Sequence, residues 1–397
     1  MISVEEAIAA ILEGANTLGP ESVPLGACAG RVAAVDVTAR MTQPPFAASA
    51  MDGYAVRFGD ADEGETLKVI GEAPAGAPFA GAVASGECVR IFTGGVVPQG
   101  ADHVVIQEDV TRDGDQITIN EPQDNPRNIR AAGIDFEKGD ILARAGDALH
   151  EMHGSIFAAA NIDAVLVTRR PKVVIFSNGD ELVEPGGELK PGQIVNSNHY
   201  ALAAMIRRWG GEVDYLGCAE DQEAAIRTFF ARGRDADIIV PVGGASVGDY
   251  DYVKSAFSAE GGVATFEKVA VRPGKPTWFG KLDKARVIGL PGNPASALVT
   301  AALFVQPLVR RLAGMRFDPA ALFQCAPLRA PLGANGRRES YLRGVANASP
   351  DGFVITPTDN QDSSLLAPFA KANVLIRRAV DAPAAAAGDE VEFVWLR

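Results

Sequence analysis

The sequence predicts a multidomain protein of α/β and β parts, organised around a central doubly wound α/β domain. The chain has 397 residues, more than one ordinary hydrophobic core accommodates, so we expect two to four domains. From residue 171 onward, apolar strand-like runs alternate with helical patterns, which is typical of a parallel sheet covered by helices on both faces. Short alternating runs, separated by glycine and proline, flank that region and indicate β-rich modules.

The order of these patterns gives the domain organisation. Ser3 and Glu6 form an S-x-x-E capping box ahead of a helix-spaced apolar run, and a helical pattern returns after the first group of short strands. We expect a discontinuous helix-bearing domain with a β-rich insertion, then the α/β domain, then a small C-terminal β domain. Their predicted boundaries are residues 1–40 with 138–170, 41–137, 171–316 and 317–397, respectively.

The composition argues against several classes of protein. The formal net charge is −13, whereas a general binder of nucleic acid or of anionic membranes needs a cationic surface. The four cysteines are scattered without a CxxC pair, so we expect a cytoplasmic protein with no zinc ribbon and no disulfide framework. The most apolar long run, residues 295–309, is interrupted by Ser296, Thr300, Gln306 and Pro307, so we expect no membrane span.

Four predicted strands of the α/β region are followed by polar, glycine-containing loops. The loops read "SNGDELVEPG", "CAED", "GGASVGDYD" and "PGNPAS". Because ligands of doubly wound sheets bind beyond the carboxyl ends of the strands, we expect these loops to converge. Polar loops with acids that cap helices explain any single loop equally well, but three acidic loops at one sheet edge favour a functional site.

The loop "PGNPAS" has features that suit an anion. Asn293 is a favoured N-cap residue and Pro294 a favoured first helical residue, so a helix would begin here with free N–H groups facing the site. In isolation, a well-formed helix start without a ligand is the commoner case. Lys268, Arg272 and Lys275 lie just upstream, however, and would form a charge clamp beside that helix start.

Acids and anion donors are compatible in one site when a hard divalent cation lies between them. Mg²⁺ takes oxygen ligands and bridges carboxylates to phosphate groups. The sequence therefore predicts a phosphate-bearing ligand bound together with Mg²⁺.

Longer motifs resemble a known family. The stretches "SNGDEL", "GGASVGDYDYV", "RPGKP" and "GLPGNPASA", in this order, resemble the molybdopterin-binding domain of molybdenum-cofactor proteins. Upstream, "PPFAASAMDGYAV", "RIFTGGVVPQGADHVV" and "NIRAAGID" resemble the MoeA and gephyrin E-domain branch, which comprises the molybdopterin molybdenumtransferases. The resemblance covers essentially the whole chain.

This resemblance implies an activity and its partners. Such enzymes insert molybdenum from molybdate into adenylated molybdopterin and release AMP with Mg²⁺, as a step of molybdenum cofactor biosynthesis. The resemblance also implies an elongated homodimer, in which Asp52 acts across the interface and the partner chain completes the cleft. The molybdopterin adenylyltransferase is a candidate partner, and neither nucleic acid nor a membrane is expected as one.

Together with the loops described above, the resemblance assigns the site residues. The predicted catalytic residues are Asp52, Glu181, Asp221 and Asp251. The predicted metal ligands are Glu181, Asp221, Asp249 and Asp251. The predicted substrate-binding residues are Thr93, Arg130, Asp135, Ser246, Lys268, Arg272, Lys275, Pro291, Asn293, Pro294, Arg338, Ser363 and Ser364. The cations expected to hold molybdate are Lys268, Lys275 and Arg338.

Some of these residues also have simpler explanations. Asp52 precedes a glycine and can make a turn, while Arg130 and Asp135 can form a surface ion pair of little energetic worth. The sequence also departs from the family pattern at Asn178, where the family often has Thr, and at Arg272, where it often has Lys.

Three other functions remain compatible with the sequence. A molybdopterin adenylyltransferase uses the same domain type with MgATP, but it would need only the α/β unit. A gephyrin-like scaffold uses the same module without turnover, although this chain has no adenylyltransferase unit fused ahead of the module. A molybdopterin-binding carrier would bind the same ligand and release no AMP.

Overall fold

The computed structural model describes residues 1–121, 124–243, 252–316, 318–350 and 352–397. Its N-terminal part consists of short elements that pair across long sequence distances. They are helix α1 (Val4–Leu12) and strands β1 (Pro20–Pro24), β2 (Val37–Thr38) and β3 (Ala48–Ser49). Strand β1 pairs antiparallel with residues 164–168. The first segment of the chain therefore packs with the segment that follows the insertion, and the two form one discontinuous domain.

The inserted region forms one six-stranded sheet. Its strands are β4 (Gly53–Val56), β5 (Thr66–Ala73), β6 (Glu87–Ile91), β7 (His103–Ile106), β8 (Val110–Asp113) and β9 (Gln116–Ile119), in the spatial order β7-β4-β6-β5-β9-β8. After it come β10 (Ile129–Arg130), β11 (Ile141–Ala143), helix α2 (Glu151–Ala159) and β12 (Ala164–Thr168). Strand β11 pairs with β2 and β12 with β1, which closes the N-terminal part around the insertion.

The central region is an α/β domain. Its elements are β13 (Lys172–Asn178), β14 (Leu182–Val183), β15 (Ile194–Val195), α3 (Asn198–Arg208), β16 (Glu212–Ala219), α4 (Glu223–Gly233), β17 (Ile238–Val242), α5 (Tyr252–Ala259), β18 (Val263–Phe266), β19 (Val271–Arg272), β20 (Trp278–Leu282) and β21 (Ala285–Gly289). The main sheet has the order β16-β13-β17-β21-β20-β18, and its first four strands are parallel. Strand β20 runs antiparallel to both of its neighbours, β21 and β18, so the sheet is mixed at one edge rather than parallel throughout.

Alternate residues of the central strands are buried on opposite faces of this sheet. Val173 and Ile175 belong to the larger cluster, whereas Val174 and Phe176 belong to the cluster beneath helices α4 and α5. Period-2 alternation is the geometry of a strand, and apolar residues in both registers require cover on both faces. The apolar runs read from the sequence therefore gave the correct layer architecture.

A long helical segment follows β21 and forms the centre of the larger core. It comprises α6 (Pro294–Thr300), a π-helical turn (Ala301–Val305) and α7 (Gln306–Leu312). Among the described residues it is the one helix long and apolar enough to cross a membrane, but 89% of its most apolar stretch is buried inside the protein. Such burial is typical of the core helix of a globular domain.

The C-terminal region forms a third six-stranded sheet, which includes one strand of the α/β region. Its elements are β22 (Gln324–Pro327), β23 (Glu339–Ser349), β24 (Gly352–Pro357), α8 (Ala367–Lys371), β25 (Val374–Arg378) and β26 (Glu390–Trp395). Strand β19 pairs parallel with β23, with Val271 opposite Glu339 and Arg272 opposite Ser340. The two domains are therefore joined by backbone hydrogen bonds as well as by chain connectivity.

Helix α1 has the expected cap but packs in a different place from the predicted one. The Ser3 hydroxyl accepts a hydrogen bond from Glu6 N at 3.0 Å, and Ser3 N donates to the Glu6 carboxylate at 2.7 Å. The apolar face of the helix, however, lies in the core of the α/β domain, where Ile11 is fully buried near α7. The expected grouping of residues 1–40 with 138–170 thus does not describe α1, because its apolar face is buried by the long core helix.

Replacing Ile11 with alanine should therefore destabilise the α/β domain. Truncating a fully buried isoleucine costs about 2–5 kcal/mol, and we expect that loss in chemical denaturation. Ala9→Ser, on the exposed face of the same helix, should cost about 0.5 kcal/mol. Unchanged hydrogen-exchange protection of β13 and α7 in Ile11→Ala would contradict this packing.

Candidate functional site

The carboxyl ends of four parallel strands meet at one cavity of about 800 Å³. The loop after β13 contributes Asn178 and Glu181, and the loop after β16 contributes Asp221. The loops after β17 and β21 contribute Gly243 and the stretch from Pro291 to Pro294. The predicted convergence is confirmed for the described part of these loops. Ser246, Asp249 and Asp251 lie outside the described residues.

The acidic side of this cavity is held by short-range hydrogen bonds. Asp221 N donates to Asp180 Oδ1 at 3.0 Å, and Asn178 Nδ2 donates to Asp221 Oδ1 at 3.1 Å. Gly179 has φ +143° and lies against the Glu181 carboxylate, where any Cβ would collide with that carboxylate. The φ value is what requires a glycine here, because L-residues rarely adopt it, whereas the end of the flexible Glu181 side chain can move aside. Two neighbouring loops thereby present Glu181 and Asp221 to one space.

The acids shift the ionisation of a nearby thiol. Cys218 is the third residue before Asp221, and burial raises its pKa to about 11, with a further contribution from the negative charges of nearby carboxylates. Those carboxylates are Glu184, Glu181, Asp221 and Asp180. The negative charges of these carboxylates therefore contribute to the raised pKa of a neighbouring side chain.

We asked whether the described residues fit the hard cation that the sequence predicts. Glu181 and Asp221 supply two carboxylates, and the buried Asn178 Oδ1 atom has no hydrogen-bond partner among the described residues. Oxygen atoms of this kind are the ligands that Mg²⁺ prefers. The described residues contain no group of three or more His, Cys, Asp or Glu arranged around a metal position. These donor atoms are therefore of the kind that Mg²⁺ prefers. Of the four predicted carboxylate ligands, Glu181 and Asp221 belong to the described residues.

Cationic side chains line the same cavity. Lys268 and Lys275 line it together with Ser364, which comes from the C-terminal domain. Lys275 also lines a second cavity of about 510 Å³ between the two domains, which Arg272 and Arg338 border as well. Strand β19 explains this arrangement, because its pairing with β23 carries Arg272 into the C-terminal sheet. The predicted charge clamp is thus brought together, with the C-terminal domain as one wall.

The helix start at Pro294 differs from its prediction. Asn293 occupies the N-cap position, but its side chain makes no capping hydrogen bond within the described chain. Ala295 N, expected to be a free donor for a bound anion, instead donates to the carbonyl oxygen of Ser363 at 3.0 Å. The prediction failed because the acceptor lies in another domain, about 70 residues away in sequence. Ser363 is a cap for α6, and its side chain borders the second cavity.

Four predicted site residues do not line either cavity within this chain. Asp52 and Thr93 lie together in the inserted region, where Thr93 N and Oγ1 both donate to Asp52 Oδ1 at 2.7 Å. These two hydrogen bonds lower the pKa of Asp52, because they favour its charged form. Arg130 is an exposed residue of β10, and Asp135 lines a shallow depression elsewhere in the N-terminal part. Neither makes an ion pair in the described part of the chain, so the predicted surface pair is not formed.

Several cavity residues escaped the sequence analysis. They are Ser177, Asn196, Ser197 and Asn198, all of which line the main cavity. Asn196 Nδ2 donates to the Tyr215 hydroxyl at 2.7 Å and to Glu184 at 3.0 Å. The polar run "NSN" directly before helix α3 was the available signal, since such a run marks a helix start at the same sheet edge.

Comparison with known proteins agrees with this geometry. Residues 2–161 match the family model "MoeA N-terminal region (domain I and II)", residues 174–311 match "Probable molybdopterin binding domain", and residues 325–396 match "MoeA C-terminal region (domain IV)". A molybdopterin molybdenumtransferase of Haemophilus influenzae is 38% identical over 360 residues, which cover 90% of this chain and 89% of that protein.

The chain belongs to the MoeA family.

Other relatives span the same length. A protein of Mycobacterium tuberculosis named molybdopterin molybdenumtransferase 2 is 34% identical and covers 100% of this chain and 99% of its own. A crystal structure of the molybdopterin biosynthesis MoeA protein from Pyrococcus horikoshii superposes with a TM-score of 0.84 at 31% identity, covering 100% of this chain and 99% of that one. The predicted family and the predicted multidomain MoeA architecture, with its central α/β domain, are thus confirmed.

The position of Cys218 in this MoeA-family site gives a test of the acidic cluster. Glu181→Gln and Asp221→Asn should each lower the pKa of Cys218 from about 11, since a nearby negative charge disfavours the thiolate. Alkylation by iodoacetamide at a fixed alkaline pH should then be faster, in a background where the exposed Cys325 is serine. Asp214→Asn, at the far end of β16, should leave the rate unchanged. Equal rates in all variants would place the acids away from Cys218.

Proposed function

We propose that this MoeA-family protein inserts molybdenum from molybdate into adenylated molybdopterin and releases AMP. The single observation that carries the proposal is a cavity lined by both carboxylates and lysines, at the carboxyl edge of the sheet. The matched model of this domain is described as a probable molybdopterin-binding domain, and relatives over 90% or more of the chain are named molybdopterin molybdenumtransferase. An adenylated pterin phosphate is anionic and needs such cationic side chains.

The chain's own residues would divide the work by charge. Glu181 and Asp221 would hold Mg²⁺, with Asp249 and Asp251 as the further predicted ligands. When bound, Mg²⁺ would polarise the phosphoanhydride oxygens and neutralise the charge that develops as AMP leaves. Lys268, Lys275 and Arg338 would hold molybdate, a tetrahedral dianion, next to the pterin sulfurs. The positions of these cations support their proposed role, because Lys275 lines both cavities and Arg338 lines the cavity between the domains.

The full-length match separates this proposal from adenylation. A stand-alone adenylyltransferase needs only the α/β unit, whereas this chain also matches the N-terminal and C-terminal MoeA regions. We further propose that the protein acts in the cytoplasm as a homodimer and takes its substrate from the molybdopterin adenylyltransferase. A scaffold or carrier would bind the same ligands, and the assay below distinguishes both from an enzyme because neither releases AMP.

The decisive experiment follows AMP after mixing the protein with adenylated molybdopterin, molybdate and Mg²⁺. We expect AMP release that depends on all three components. Lys275→Ala should lower kcat/KM by about 100-fold, since losing one electrostatic stabiliser of a reacting oxyanion has an effect of this order. Lys281→Ala, an exposed lysine in the nearby strand β20, should be neutral. Stoichiometric binding of adenylated molybdopterin without AMP release would replace the enzyme with a carrier.

The location of Asp52 leads to a second test of the proposal. Asp52 does not line the described part of the cavity in its own chain, so we propose that it completes the cavity of a partner chain. Asp52→Ala and Lys275→Ala should each be nearly inactive alone. After unfolding and refolding together, a statistical mixture should regain about a quarter of wild-type activity, because half of the dimers are mixed and each has one intact site. No recovery would place Asp52 in its own chain's site, and normal activity of Asp52→Ala alone would place it outside catalysis.

A further inference from the structure

A small pocket between the N-terminal part and the α/β domain is lined by three arginines. Its volume is about 170 Å³, and the arginines are Arg31, Arg170 and Arg208. Arg170 belongs to the link between β12 and β13, and Arg208 ends helix α3. None of the residues that line this pocket in the described chain is an aspartate or a glutamate. Such a concentration of positive charge stands out in a protein whose net charge is −13.

Arg170 is the arginine of this pocket that has no direct partner. Its side chain is half-buried, and within the described chain it makes neither a hydrogen bond nor an ion pair. Burial lowers the pKa of Arg170, and the positive charge of Arg31 lowers it further, while Glu212 and Glu21 offset part of this effect. The charged guanidinium is therefore less favourable here than in water, and a bound anion would compensate it.

The other two arginines are anchored by contacts that leave donors unused. Arg31 is buried, pairs with Glu21 and donates to the carbonyl oxygen of Thr168 at 3.0 Å. Arg208 donates to the carbonyl oxygen of Leu396. Because a guanidinium carries five N–H donors, each of these arginines has donors left for a ligand. Anchored guanidinium groups with unused donors are suited to binding an oxyanion.

A tryptophan of the same pocket also has a donor without a partner. Trp209 lines the pocket and is only 4% exposed. Its indole N–H makes no hydrogen bond to any residue that the structure describes. This N–H group usually has a partner when a tryptophan is buried. An oxyanion in the pocket would supply an acceptor to Trp209 and a counter-charge to Arg170.

Compensation of helix dipoles explains part of this cluster of arginines. Arg208 and Arg310 lie at the ends of α3 and α7, where a cation stabilises the negative end of a helix. Arg170 and Arg31 belong to neither helix, so this explanation does not apply to them. A helix end carries about half a negative elementary charge, which is less than the full positive charge of one arginine. The pocket therefore keeps a positive potential despite the two helix ends.

We propose that this pocket, lined by Arg31, Arg170, Arg208 and Trp209, binds a tetrahedral oxyanion, of which inorganic phosphate and molybdate are two sources. A dianion matches the two arginines, Arg170 and Arg208, that form no ion pair with a described carboxylate. The bound ion connects the N-terminal part with the α/β domain, since both contribute lining residues. The site shares no lining residue with either cavity described above, and it is independent of the proposed function.

The test is calorimetric titration of the full-length protein with inorganic phosphate and, separately, with molybdate. Lys275→Ala serves as the background, because it weakens the proposed molybdate site in the main cavity. We expect one ion of at least one kind to bind per chain, and the more tightly bound ion identifies the source. Arg170→Gln in this background should weaken that binding by about tenfold, the effect of one lost charge-assisted hydrogen bond.

A neighbouring arginine provides the matched control. Arg207 is exposed, precedes Arg208 in helix α3 and lines none of the cavities described here. Arg207→Gln removes the same charge from the same region, so it should leave the affinity for the ion unchanged. If Arg170→Gln does not fold, Arg208→Gln takes its place. Failure of both ions to bind, or equal affinity in Arg170→Gln and Arg207→Gln, would overturn the proposed site.

Thermal unfolding separates a ligand site from a structural role of Arg170. In chloride, Arg170→Gln should be at least as stable as its background, because it removes a half-buried charge that has no partner. The ion that binds, added at equal ionic strength, should raise the Tm of the background and of Arg207→Gln but not that of Arg170→Gln. An equal rise in all three would contradict the site. AMP release by the wild-type protein tests the proposed function separately.

Discussion

The parallel register of β16, β13, β17 and β21 is the constraint on which the site depends. Parallel strands place their carboxyl ends on one edge of the sheet, so four loops far apart in sequence meet there as a consequence of strand direction alone. Glu181 and Asp221 come from adjacent strands, and each is oriented by the backbone turn that ends its strand. If another strand lay between β13 and β16, the two acids would lie one strand width further apart and would no longer form one cluster of negative charge.

The charges on this edge are useful only because they are segregated. Carboxylates occupy the walls formed by β13 and β16, while Lys268 and Lys275 belong to the segment that leads into β19 and β20. Neighbouring carboxylates repel one another, and this repulsion costs free energy when no ligand is bound. The Asn178 amide holds Asp221 in place, and the backbone N–H of Asp221 holds Asp180. A cation and an anion that bind together relieve both repulsions. Burial raises the pKa of Cys218, and the negative charges of these carboxylates raise it further.

How much the sequence foretold depended on the distance over which each feature is determined. The capping box of Ser3 and Glu6, the two-faced strands and the convergence of acidic loops follow from local spacing and strand polarity, and they were predicted. The packing of α1 on α7 and the capping of Ala295 by Ser363 are contacts between distant segments. No local pattern encodes them, because a helix face or a free N–H shows that a partner is needed and not which one.

The junction between the α/β and C-terminal domains determines the shape of the cavities. An α/β unit alone would leave the start of α6 open, with its N–H groups free for an anion, as the sequence suggested. Here the C-terminal domain supplies the cap through Ser363 and a wall through Ser364, and β19 is stitched into its sheet. The Ala295 N–H is therefore occupied, and the contact between the domains forms a pocket that Lys275 and Arg338 border. A second cationic pocket beside the first suits the reaction proposed above, in which two separate anions, a nucleotide and an oxyanion, are held at once.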